Sequence, residues 1–224
     1  MVIAVDGYSS TGKSTVAKLV AKELGLVYID TGAMYRAVTY FALKSNLFNG
    51  DKVDEDRLKE LLPGVTISFI PDKESGKNST YLNGECVESE IRGMEVSNRV
   101  SVIAAISFVR EYLVDQQREM GRVGDVIMDG RDIGTVVFPN ADVKFFMTAS
   151  AQVRAERRYQ ELIAKGEGVS YEEVEKNVIT RDYLDSHRSV SPLVQAADAV
   201  VIDNGHITIE QNVELMVKTI KERV

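Results

Sequence analysis

The run Gly7-Tyr8-Ser9-Ser10-Thr11-Gly12-Lys13-Ser14-Thr15 constrains this chain more than any other feature. It fits the phosphate-cradling pattern G-x-x-x-x-G-K-[ST]. Val2-Ile3-Ala4-Val5-Asp6 before it reads as a buried strand, and Val16, Leu19, Val20 and Leu24 after it mark a helix. Strand, glycine-bounded loop and helix together turn a pattern match into a physical expectation. The first N–H groups of the helix converge on one spot, and the helix dipole favours negative charge there. The nine residues from Gly7 to Thr15 are therefore expected to form the binding loop for the phosphates of a nucleoside triphosphate. Lys13 adds a positive charge for the β- and γ-phosphates, and the Ser14 hydroxyl is the expected protein ligand for Mg2+. The alternative is a chance glycine turn beside a surface lysine.

Bulk numbers narrow the class. At 224 residues, 44% hydrophobic and 27% charged, the chain suits one α/β domain or one domain with a small insertion. A net charge of −7 argues against a nucleic-acid polymer or an anionic membrane as partner, but leaves room for a local positive pocket. Cys86 is the lone cysteine, so no intrachain disulfide and no cysteine metal site can form. The chain opens directly into a strand, with no signal peptide to be read there, and no apolar run nears the roughly 18 residues of a membrane span. A cytoplasmic protein is the default expectation, as is a monomer.

Four further runs read as buried strands apolar on both faces: Leu26 to Ile29, Val126 to Met128, Val143 to Met147 and Ala199 to Ile202. Helical patterns cover Gly32 to Lys44, Ser101 to Met120, Ala151 to Lys165, Tyr171 to Ser186 and Thr208 to Arg223. Such alternation predicts a five-stranded parallel sheet with helices on both faces. One stretch breaks it. Val65 to Ile70 alternates, Pro71 to Ser79 is rich in turn formers, Thr80 to Leu82 reads as a second strand, and Asn83-Gly84 is a hairpin-type turn signal. The prediction is a small antiparallel insertion at about residues 63–84, within a mobile subdomain at about residues 51–99.

A phosphate loop alone does not identify the second substrate, and the arginines are the best clue to it. Arg36 lies one turn into a helix whose start can be capped by Asp30 or Thr31. Arg131 and Asp132 lie just past a core strand, in Asp129-Gly130-Arg131-Asp132-Ile133-Gly134-Thr135. Ligands of open α/β sheets bind at the carboxyl ends of strands, so Arg36, Arg131 and the phosphate loop are expected on one rim. For Arg36 alone, a surface ion pair weighs as much as a phosphate contact. Arg154, Arg157 and Arg158 share one helix face, and Arg181, Asp185 and Arg188 share another. An Arg181–Asp185 ion pair on a solvated face is the equal alternative for the second set. His187 and His206 have no obvious partner and read as surface residues.

The phosphate loop, Asp30-Thr31-Gly32-Ala33-Met34-Tyr35-Arg36, the run from Asp129 through Val136-Val137-Phe138-Pro139, and Arg181-Asp182…Asp185…Arg188…Pro192-Leu193 together resemble the bacterial cytidylate kinases. The resemblance covers essentially the whole chain, and its D-G-R-D-I-G-T-V-V-F-P run is specific. It implies a single P-loop kinase domain over residues 1–224, with a monophosphate-binding insertion at about 51–99 and a helical lid at about 151–168. It implies a nucleoside monophosphate kinase that transfers the γ-phosphoryl group of ATP to CMP or dCMP, with Mg2+. By motif, Arg36 and Arg131 would grip the acceptor phosphate, with Asp30 and Thr31 beside them. Ser101, Arg110, Asp132 and Arg188 would surround the cytosine, and Arg181 and Asp185 would meet the sugar hydroxyls. Lys13, Arg131, Arg157 and Arg158 would act on the phosphates in flight. Cytosine offers an N4 donor that Asp132 can accept, whereas uracil presents an acceptor there. An unmatched buried carboxylate costs about 1–3 kcal/mol or more, so preference for cytosine is expected if Asp132 is ionised and near that edge.

Tyr8 stands where the family usually has proline, and Ser10 and Thr11 replace small residues; Tyr8 is expected to cover the loop rather than touch nucleotide. Asp129 could assist a metal through a water. The rivals are another small-molecule P-loop kinase and a nucleotide-sensing GTPase. The strings N-K-x-D and D-x-x-G that the second would need are absent.

Overall fold

The computed structural model describes residues 1–71 and 78–224. The chain divides into two compact units, Met1–Thr31 with Val114–Val224, and Gly32–Leu113. It runs β1 (Val2–Gly7), α1 (Lys13–Leu24), β2 (Val27–Asp30), α2 (Thr31–Lys44), β3 (Phe48–Asn49), β4 (Lys52–Val53) and α3 (Glu55–Leu61). Next come β5 (Ile67–Pro71), β6 (Asn78–Leu82), β7 (Glu85–Cys86), α4 (Met94–Ala104) and α5 (Ser107–Arg122). Last are β8 (Val126–Gly130), a π-helical turn (Ile133–Val137), β9 (Val143–Thr148), α6 (Ala151–Ala164), α7 (Tyr171–His187), β10 (Val200–Asp203) and α8 (Ile209–Arg223).

In the first unit the five predicted strands form one parallel sheet, ordered β10-β9-β1-β8-β2. Ile3, Val5, Ile127, Val143, Phe145 and Met147 of the inner strands pack with Val16 and Val20 of α1 and with Met216 and Ile220 of α8. Each such side chain, fully buried, contributes about 1.5–3 kcal/mol. The helices start where the sequence supplies caps. Ser150 accepts from Val153 N–H at the head of α6, and Ser170/Glu173 and Thr208/Gln211 close reciprocal capping boxes at α7 and α8. Three residues differ from the pattern reading: Leu19 of α1 is 42% exposed, Val27 of β2 56% and Val201 of β10 49%. Both strands are edges of the sheet, and the expectation of two buried faces fails at these positions.

In the second unit β5, β6 and β7 form the predicted antiparallel insertion, with Ile67 opposite Leu82. Asn83 (φ 50°) and Gly84 (φ 85°) are both left-handed, as a tight turn between β6 and β7 requires. The predicted polar loop at Pro71–Ser79 falls largely on residues 72–77, outside the described residues. Two elements were not read from sequence: the β3–β4 hairpin and α3, whose N-terminus Asp54 caps through Arg57 N–H. The single helix predicted over Ser101 to Met120 is instead two, α4 and α5, interrupted at Ala105–Ile106. The break exposes a carbonyl at Ala104, and the Arg110 guanidinium satisfies it at 3.0 Å.

Candidate active site

The phosphate loop leaves β1 at Gly7, whose φ is 145°. A Cβ there would lie 2.0 Å from the Met147 carbonyl oxygen of β9, so only glycine lets the loop rest on the sheet. Ser10 (φ 58°) and Gly12 (φ 87°) are left-handed, the alternation that turns successive N–H groups into one concavity. No side chain caps the start of α1, which leaves its first amides for an anion.

Side chains hold this backbone from outside. Buried Arg154 donates to the carbonyls of Ala149 (2.9 Å) and Ser9 (3.2 Å) and is anchored in turn by Asp182 through 2.9 and 2.5 Å bonds. Its guanidinium lies 5.1 Å from the Tyr8 ring centroid, and Tyr8 meets Phe146 edge-on at 6.0 Å. Tyr8 therefore packs as a cover between an arginine and a sheet residue. Asn204, just past β10, donates from Nδ2 to the Thr11 carbonyl, while its own Oδ1 and carbonyl accept from Arg157 at 2.6 and 2.8 Å. Arg158 pairs with Glu161 at 2.9 Å. The three arginines of α6 thus differ in what they hold. Arg154 is an anchor, Arg157 is tied to the loop through Asn204, and Arg158 sits at the helix's own carboxylate.

Lys13 folds back over the loop and donates to the Tyr8 carbonyl at 2.6 Å. Burial, with the Arg131 charge adding to it, pulls its ammonium down to about 7. Ser14 Oγ donates to Asp129 Oδ2 at 2.8 Å, and Tyr28 OH donates to Oδ1 at 2.7 Å. Burial first, then the neighbouring Asp30 carboxylate, pushes Asp129 above the usual carboxylate range.

Asp30 closes β2 directly opposite Asp129, and Thr31 Oγ1 donates to the Asp129 carbonyl at 2.7 Å. Arg131 donates to Asp185 Oδ2 at 2.9 Å, so its carboxylate partner comes from α7. Arg188 Nη2 lies 3.6 Å from Asp132 Oδ1, and its Nε donates to the Ser191 carbonyl at 2.7 Å. Arg181 is buried, and burial followed by the repulsion of Arg131 and Arg158, against the Asp185 attraction, brings it down to about 10. The surface Arg181–Asp185 pair weighed as the alternative is replaced by a buried cluster in which Asp185 serves Arg131.

The first unit therefore brings Lys13, Ser14, Asp30, Thr31, Asp129, Arg131, Asp132, Arg181, Asp185 and Arg188 to the strand-end side of its sheet. Arg36, Ser101 and Arg110 belong to the second unit and are buried within it. Arg36 Nη1 donates to the Ile91 carbonyl (2.8 Å) and Ser97 Oγ (3.1 Å), and the Arg110 guanidinium lies 5.3 Å from the Tyr35 ring centroid. Asn204, Asp182 and Tyr28 were missed from sequence. Asn204 follows directly on the end of a strand of the sheet, and Asp182 lies inside the Arg181–Arg188 motif, so these two carried a usable signal.

The profile of the cytidylate kinase family matches residues 3–222. Among similar proteins is a cytidylate kinase of Parabacteroides distasonis, 57% identical over 94% of this chain and 92% of its own length. The cytidylate kinase of Bacteroides fragilis is 55% identical over 95% and 93%. That of Flavobacterium johnsoniae is 54% identical over 99% and 96%. With the phosphate loop, the Asp129–Phe138 run and the α7 arginines inside the matched span, the chain belongs to the cytidylate kinase family.

Proposed function

We infer that this chain transfers the γ-phosphoryl group of ATP to CMP or dCMP, giving CDP or dCDP. The reading is carried by one observation: a main-chain phosphate cradle and a set of arginines paired with carboxylates share the strand-end side of one sheet. The loop from Gly7 to Thr15 would bind the donor phosphates, and Lys13 would leave the Tyr8 carbonyl for the β- and γ-phosphates. Ser14 and Asp129 offer the hard oxygen donors that Mg2+ prefers, and the ion would neutralise charge between the donor phosphates. Arg131 and Arg36 would hold the acceptor phosphate, whose oxygen attacks the γ-phosphorus in line. That oxygen is already anionic, so no general base is needed, and rate comes from positioning and charge stabilisation. Arg157 and Arg158 would meet the transferring group. Asp132, Arg188, Ser101 and Arg110 would read the base, and Arg181 and Asp185 the sugar.

Residues at about 51–99 and 151–168 would close over the nucleotides and exclude water. The Arg154–Asp182 anchor pins the first turn of α6, so lid motion would start beyond it. All the proposed residues come from one chain, which makes a monomer sufficient; no helix among the described residues is long and apolar enough to cross a membrane, and the nucleotide pools of the cytoplasm are the expected setting. A coupled assay with ATP across CMP, dCMP, UMP, dTMP, AMP and GMP tests the reading. Turnover concentrated on CMP and dCMP is expected. Equal turnover of UMP would defeat the base-reading roles, and no turnover of any acceptor would defeat the function.

A further inference from the structure

The turn that follows Arg131 and Asp132 has an unusual division of labour. Its π-helical residues Ile133–Val137 begin with N–H groups that have no partner within the turn. Asp132 occupies the capping position, and aspartate is among the best residues for that duty, yet its side chain makes no cap bond. Its Oδ1 lies instead toward Arg188, at 3.6 Å. The cap comes from another strand. Asp6, 4% exposed on β1, accepts from Ile133 N–H at 2.8 Å with Oδ1 and from Gly134 N–H at 2.7 Å with Oδ2. One buried carboxylate satisfies the first two N–H groups of the turn. Asp6 also stands opposite Gly130 of β8 and immediately precedes Gly7, so the strand that opens the donor loop fixes the turn beside it.

We propose that Asp6 is a positioning residue for recognition of the acceptor base: by capping the Ile133–Val137 turn from β1, it leaves the Asp132 carboxylate to face Arg188 and the base. This rests on the functional reading above, in which Asp132 and Arg188 surround the cytosine. An amide at position 6 keeps the shape but accepts only one of the two N–H groups and points its own NH2 at the other. Asp132 is then the nearest carboxylate in sequence able to cap its own turn, and it is drawn away from the base edge.

The test is the ratio of kcat/KM for CMP over UMP, at saturating ATP, in the wild type and in Asp6→Asn. Lys13 also feels the Asp6 charge, but an effect through Lys13 acts on both acceptors alike and cancels in the ratio. The ratio is expected to fall about tenfold, with KM for CMP rising. Loss of rate on both acceptors with the ratio within about twofold of wild type would overturn the proposal, because a merely structural Asp6 behaves that way. If Asp6→Asn does not fold, Asp6→Glu keeps the charge but moves the carboxylate by one methylene, so it no longer meets the Ile133 and Gly134 N–H groups in the same place. There the ratio is expected to fall about threefold, and an unmoved ratio overturns the proposal. A wild type that turns over UMP as well as CMP fails the functional reading, and the proposal with it, before any variant is made.

Discussion

The phosphate loop and the arginine–carboxylate cluster of the first unit, proposed to hold donor and acceptor, are built in opposite ways. The loop uses main-chain N–H groups whose positions follow from Gly7, Ser10 and Gly12. Its braces, Arg154 and Asn204, grip carbonyls from outside and leave the concavity free. The cluster uses side chains already engaged with one another: Arg131 with Asp185, and Arg188 with Asp132. A backbone site is preorganised and needs only one lysine to move. A side-chain site must exchange an internal carboxylate for a substrate phosphate or base, so its affinity depends on what it gives up.

The largest expected effect falls on the donor side. Lys13→Ala should lower kcat about 10²–10³-fold, roughly 2.7–4 kcal/mol of barrier, with little change in KM for CMP. A rate within threefold of wild type would place the phosphate clamp elsewhere. Next is the acceptor side: Arg188→Met should lower kcat/KM for CMP about 10²-fold while slow acceptor-free ATP hydrolysis stays nearly constant. Parallel loss of both activities would mean that the two sites are not separable. Asn204→Ala is expected to raise KM for ATP about tenfold, because Thr11 and Arg157 lose a shared brace; a change confined to KM for CMP would contradict that role.

The smallest effect concerns protons. Lys13 stands at about 7 in the free protein, and an anionic nucleotide stabilises its charged form. Binding ATP at pH 8 should take up close to one proton, measured by calorimetry in two buffers of different ionisation enthalpy, and Lys13→Met should abolish the uptake. The same depression affects folding with a definite sign. Between about 7 and the ordinary 10.5 the unfolded chain holds a proton that the folded chain lacks. This lysine's contribution to stability therefore rises with pH across that window, and the Met variant should lose that slope.

The geometry of the phosphate loop was legible because a backbone cradle imposes spacing: Gly7, Gly12, Lys13 and Ser14 must fall where they do. The sheet was legible because strands buried between helices read as short apolar runs. Val27 and Val201, on the two edge strands, escape that rule. The break at Ala105–Ile106 was not legible, since helical periodicity passes through it and the satisfying group, Arg110, lies beyond it. The braces were invisible for a related reason. Asp182 bonds Arg154, 28 positions away, and Asn204 bonds Thr11, 193 positions away, and no local pattern marks either pair. For Asp185 the spacing offered a local pair with Arg181 and a ligand contact as equals, and neither names its bond to Arg131, 54 positions away.

In the sheet, β8 lies between β1 and β2, although the whole second unit separates it from them in sequence. On the ribosome, β1 and β2 emerge with nothing between them to pair with. At synthesis rates of about 5–20 residues per second, several seconds pass before Val126–Gly130 arrives to fill the gap. Until then the nascent chain carries bare, apolar strand edges; β9, Arg154 and Asn204, which seat and brace the phosphate loop, emerge later still, so the cradle gains its supports only when most of the chain has been made.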